Sequence, residues 1–327
     1  MNTVNLFYEE PDPDRWIAFD RYPRRLIRRL VRGKAHPGGV GMIILNLIKG
    51  FDKLKIPYRL NDYNYIRKNP DEIACIIGKP HVLFERKWKN PIIFGPGIYS
   101  HPMECPELFE KYPNVKLFLV PGDWMKAMFT PYYHNKVLDW PVGINTDVWS
   151  PAIKEQTEYD FLIYDKIRWN HRRYKEQLID PICEMLNTRN LKYQFIHYGS
   201  YRQLDLMDKI AVSKNVLFLC EHETQGLAYQ QILATGTPML AWEQGGYWKD
   251  PYYYPEKVKY QPVSAVPYWD QRCGMKFTGV ADFSGKLEEF LSARWQFDPA
   301  AYIQENLTLE KCALAYYQIV ENLINEL

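Results

Sequence analysis

Short, continuous apolar runs alternate with longer polar or amphipathic stretches along the whole chain, the pattern of stacked β-α-β units. In the first half, Val4–Tyr8, Tyr58–Leu60, Ala74–Ile77, Ile92–Phe94, Lys116–Val120 and Val137–Trp140 read as strands. In the second half, Phe161–Tyr164, Gln194–Tyr198, Val216–Cys220, Met239–Trp242 and Val263–Val266 do the same. Runs that are apolar throughout, rather than alternating, belong to parallel sheets covered on both faces. Ile43, Ile44, Leu47, Ile48, Phe51 and Leu54 recur with a period near 3.6, which predicts a helix opened by Gly38-Gly39-Val40-Gly41. A last helix is expected over Leu307–Leu327. The turn-rich segment Trp140–Pro151, followed by a polar stretch to Glu158, marks a break. It divides the chain into domains at 1–150 and 151–306, with the 307–327 helix after them.

A chain of 327 residues has room for one large or two medium α/β domains. Its net charge of +2 gives no reason to expect nucleic-acid binding. No apolar run approaches the ~20 residues that span a bilayer, and Met1–Leu6 lacks a signal-peptide pattern. The expectation is a cytoplasmic protein. Arg24, Arg25, Arg28, Arg29 and Arg32 alternate with apolar residues in a basic stretch. One of its faces could rest on anionic lipid, a peripheral contact at the inner membrane surface; a plain solvated face is the simpler reading. Six cysteines without a CxxC pair fit a reducing compartment and no structural zinc. Asp12-Pro13-Asp14 reads as a turn, and no catalytic metal is expected.

Candidate chemistry concentrates after the Val216–Cys220 run, in Glu221–Pro238. A polar loop is followed by Gly226, a run of helix formers, and then Gly236 and Pro238. In open α/β sheets, ligands bind at this carboxyl end of the strands. A helix starting near Gly226, Leu227 and Ala228 points free N–H groups and its dipole at the crevice, and a glycine lets a phosphate come close. Glu223 would repel that phosphate but can bind sugar hydroxyls beside it, and the Gln231 amide can pair with hydroxyls from within the helix. A diphosphate flanked by polyhydroxylated groups, as in a nucleotide-sugar, suits this arrangement.

The segment resembles the donor-site motif of retaining GT-B glycosyltransferases of the mannosyltransferase and sucrose-synthase-like type, with Glu223, Gly226, Leu227, Ala234, Gly236, Thr237 and Pro238 in register. The family's second glutamate is Gln231 here. The resemblance also extends to Pro141-Val142-Gly143-Ile144-Asn145, like the family's interdomain segment. It implies an α/β fold of GT-B type: two facing Rossmann-like domains with parallel sheets and a C-terminal helix crossing back onto the first. It further implies that Glu223 contacts the donor sugar and Gln231 the ribose, and that Gly39 and Gly41 lie in a first-domain loop under the donor. Cations after the first strand of the second domain would neutralise the pyrophosphate. Lys166 fits the first position and Arg172 the second, with Arg168 as rival; Asp165 stands where the family has glycine.

Gly199, after the strand ending at Tyr198, is a further strand-end loop residue, and His101 is a candidate on the acceptor side. The expected activity is transfer of a sugar from a nucleotide-sugar donor, with no cofactor, to a hydroxyl of a glycan, lipid-linked or protein acceptor. A glycosyltransferase-like module that binds a glycan or partner without catalysis is the alternative, and a nucleotide-sugar epimerase is a lesser one.

Overall fold

The computed structural model describes residues 1–11, 38–250 and 256–327. Asp12–Asp14 and the basic Arg24–Arg32 stretch lie outside the described residues. The chain divides into two compact units. The first holds Met1–Val120, Tyr132–Trp140 and Ala313–Leu327; the second holds Pro121–Pro131 and Pro141–Cys312.

The first unit is built on a parallel sheet in the order β2-β1-β3-β4-β5-β6. Its strands are β1 (Val4–Phe7), β2 (Tyr58–Leu60), β3 (Ala74–Ile76), β4 (Ile92–Phe94), β5 (Val115–Val120) and β6 (Val137–Asp139). All residues of β3 and β4 are buried, as their unbroken apolar character requires. The helix Gly39–Leu54 buries Ile43, Ile44, Leu47 and Phe51. Its start is packed closely, because a Cβ on Gly78 (φ +74°) would lie 2.4 Å from Val40 Cγ1. The long helix Leu309–Glu326 ends in this unit. There Tyr316 packs edge-on against Trp140, with ring centroids 5.0 Å apart, and the Tyr317 hydroxyl accepts from the Asn2 N–H at 2.8 Å.

The second unit has a parallel sheet in the order β11-β10-β9-β7-β8. The strands are β7 (Tyr159–Lys166), β8 (Tyr193–His197), β9 (Ser213–Cys220), β10 (Met239–Trp242) and β11 (Gly274–Phe277). Phe161, Ile163, Leu217, Leu219 and Leu240 join Leu178, Ile182, Phe283 and Leu287 in one buried core. Ile144 forms an isolated parallel bridge with Thr308, and Gly143 is required beside it because a Cβ would come 2.7 Å from the Thr308 carbonyl oxygen.

One sequence expectation is corrected. Val263–Val266 is not a strand, and the sheet edge is β11, which the apolar pattern does not signal. Pro262 and Pro267 bracket the first segment, and its backbone pairs elsewhere: the Val263 N–H donates to Gly246 O at 3.0 Å and the Ala265 N–H to Glu243 Oε2 at 3.1 Å. β11 is short and begins at Gly274, whose φ of +133° and closeness to Met239 O (2.0 Å from a hypothetical Cβ) admit only glycine.

Candidate functional site

At the carboxyl edge of the second unit's sheet, the ends of β7 and β9 lie side by side, with Lys166 opposite Cys220. The loop after β9 therefore comes back over the end of β7. Lys166 Nζ donates to Glu223 Oε1, with the two side chains 10% and 7% exposed. Burial by itself disfavours the ammonium, but the adjacent Glu223 carboxylate outweighs it and holds Lys166 above the ordinary lysine value. The Tyr198 ring lies 4.2 Å from Nζ. The Glu223 backbone is held as well: its N–H donates to Ser264 O at 2.9 Å, and its carbonyl accepts from the Trp124 indole at 2.9 Å.

Gly226 follows with φ +70° and ψ 39°, and a Cβ there would lie 2.1 Å from Tyr229 Cε1. Both the left-handed backbone and the Tyr229 ring therefore demand glycine. The helix Leu227–Ala234 starts from this turn. The N–H groups of Leu227 and Ala228 make no backbone hydrogen bond among the described residues. Leu227 and Ala228 are half-buried residues, and their amides, at the positive end of the helix, are suited to an oxyanion. Two buried amides brace the turn: Gln230 Nε2 donates to Gln225 O at 2.7 Å, and Gln225 Oε1 accepts from the Val142 N–H at 3.1 Å. Gln231 is half-buried on the same helix, and its side chain makes no hydrogen bond among the described residues.

The structure also brings in Glu221 and His222, to which the sequence assigns no role, and gives Asp165 partners that the sequence does not show. Glu221 is fully buried and accepts from the N–H groups of Arg168 (3.0 Å) and Trp169 (2.9 Å), tying the loop after β7 to the loop after β9. His222 is 3% exposed, packed against the rings of Trp169, Trp124 and Trp248. Burial, helped by the Arg168 charge, pushes its imidazole down to about 3, so it is neutral. Asp165 is 3% exposed and accepts from His171 Nε2 at 2.7 Å and His197 Nδ1 at 3.2 Å. All three groups stand at or just after strand ends in the sequence, but their partners lie elsewhere along the chain, from His171, 6 residues after Asp165, to Arg168, 53 residues before Glu221.

Arg168 is exposed, its guanidinium 4.1 Å from the Trp169 ring centroid. Arg172 is 95% exposed and reaches Glu176 at 3.4 Å, so it does not converge on the Lys166–Glu223 pair in this structure. Gly199 is exposed after β8, with φ +82°. In the first unit, Gly39 and Gly41 line a cavity of about 650 Å³ together with Tyr8, Glu10, Asn61 and Lys79. His101 is completely buried and presents no surface to an acceptor. Among the described residues no helix is long and apolar enough to cross a membrane, and no group of His, Cys, Asp or Glu is arranged to hold a metal ion.

No family model and no curated protein matches this chain. Solved structures do. The glycosyltransferase AviGT4, involved in avilamycin A biosynthesis, is similar over 99% of this chain and 98% of its own, at 13% identity and a TM-score of 0.51. The sucrose-phosphate synthase from Thermosynechococcus elongatus is similar over the whole of both chains, at 12% identity and a TM-score of 0.55. Two Rossmann-like units, each on a wholly parallel sheet of six or five strands, give this chain the GT-B fold.

Proposed function

We propose that the protein is a GT-B glycosyltransferase that moves a sugar from a nucleotide-sugar donor to a hydroxyl of a glycan, lipid-linked or protein acceptor, without a metal and with retention. One observation carries the reading: Glu223, buried and paired with Lys166, stands three residues before Gly226, which opens a helix whose first amides have no backbone partner among the described residues. A carboxylate next to an oxyanion mouth suits a ligand that joins sugar hydroxyls to a diphosphate. Glu223 would accept from the donor sugar, and the Leu227 and Ala228 amides would take a phosphate oxygen. Lys166 spends one of its three N–H bonds on Glu223 and keeps the others for the departing diphosphate. Gln231 would reach the ribose. The same fold carries a glycosyltransferase and a sucrose-phosphate synthase, which supports the reading by analogy.

Incubation with a panel of UDP- and GDP-linked hexoses tests it, with free nucleotide and thermal stabilisation as readouts. Consumption of a donor, abolished by Glu223→Gln, is the expected result. Stabilisation by a donor that no acceptor or water ever consumes would instead favour a non-catalytic binding module. No response to any donor would defeat the proposal.

A further inference from the structure

The oxyanion chemistry at this sheet edge needs cations, and one of the two expected from the sequence, Arg172, extends into solvent toward Glu176. One strand end over, the structure has built something else. Asp165 is buried, yet its Oδ2 holds two imidazoles at once, His171 Nε2 at 2.7 Å and His197 Nδ1 at 3.2 Å. Its Oδ1 accepts from the Ile167 N–H at 3.1 Å, so the carboxylate is fixed from both sides. Strand pairing sets the geometry, because Asp165 in β7 is directly opposite His197 in β8. The two histidines are 45% and 57% exposed, so each ring has one nitrogen spent on the carboxylate and an open edge. Asp165 is the charged group in contact with both rings; Phe195 stacks on His197 at 5.6 Å, and Lys166 and Tyr198 follow next along the two strands. Around them the segment 165–175 carries Lys166, Arg168, Arg172, Arg173 and Lys175 against the single buried acid.

We infer that His171 and His197, positioned by Asp165, form a binding site for a phosphate-type oxyanion, in which each ring takes up a proton from solvent as the anion arrives. The proton balance follows from the inner hydrogen bonds. With one N–H of each ring donated to Asp165, the outer nitrogen has a lone pair until it is protonated, and only then can it donate to a phosphate oxygen. The carboxylate offsets the charge that results. Asp165 is a positioning residue; the imidazoles are the contacting groups. Assigning the anion to the donor's diphosphate rests on the glycosyltransferase reading. The anion site itself does not.

Isothermal titration with inorganic pyrophosphate, UDP and GDP, each in two buffers of different ionisation enthalpy, tests this. The wild-type chain should bind pyrophosphate and at least one nucleoside diphosphate with net proton uptake. The double variant His171→Gln/His197→Gln should bind about tenfold or more weaker, the loss of a charge-assisted hydrogen bond, and without buffer dependence. Asp165→Asn keeps both rings but should lose the proton uptake, which a merely structural role would not produce. Melting curves separate loss of fold from loss of binding. Binding without proton uptake in the wild type, or equal binding by the folded double variant, overturns the inference while leaving the glycosyltransferase reading intact. Variant-sensitive pyrophosphate binding with no affinity for either nucleoside diphosphate does the reverse. Absence of binding to all three probes overturns both.

Discussion

The Lys166–Glu223 pair offers the most direct measurement. Removing one member leaves the other charge buried and uncompensated, which costs roughly 3–5 kcal/mol, whereas removing both is close to neutral. With side chains only 10% and 7% exposed, little solvent is present to screen the survivor. For a domain the size of the second unit each kcal/mol moves the melting temperature by ~2–4 °C, so Lys166→Met or Glu223→Gln alone should lower it by roughly 6–20 °C. The double variant Lys166→Met/Glu223→Gln should recover most of that loss. The pH window follows from the raised Lys166 value. The stabilisation is complete below the ordinary lysine range and fades only as alkaline pH rises through the raised value. Urea and thermal unfolding of the ligand-free chain, arranged as a double-mutant cycle, is the assay. Single losses under about 1 kcal/mol, or losses that simply add, would refute the pairing as an energetic unit.

Other outcomes are equally specific. Gly226→Ala should destabilise by about 1–2 kcal/mol for the left-handed backbone, with more from the Tyr229 contact, and should abolish donor binding; melting and titration measure both. His222 is held neutral down to about 3, against an ordinary value of 6.5. The unfolded chain therefore binds the extra proton first, and stability that is whole above about 6.5 should drain away as pH falls toward 3. Urea midpoints across that range should show a slope that His222→Phe flattens. Gln231→Glu should tighten donor binding about fivefold if the side chain meets the ribose, the gain from exchanging a neutral for a charged hydrogen bond. An unchanged dissociation constant would remove Gln231 from the site.

Much of this protein is written in its apolar runs. Buried parallel strands need no partner-specific signal, because covering both faces makes every position apolar, and so β4 and β10 begin and end where the sequence places them. Gly226 was equally legible, since a polar loop, a glycine and a run of helix formers specify a helix start locally. The strand β11 was not. Its four residues carry little apolar signal, and its place is set by the register Leu240↔Met275 with β10. The site divides in the same way. The sequence determined that Lys166 and Glu223 stand at strand ends, because that depends on local pattern. Only the tertiary structure decided that they pair, that Glu221 ties two loops together, that Arg172 points outward, and that Asp165 gathers His171 and His197. Each of those depends on which strands are neighbours and on how deeply a charge is buried. Both are properties of the assembled sheet rather than of any stretch of chain.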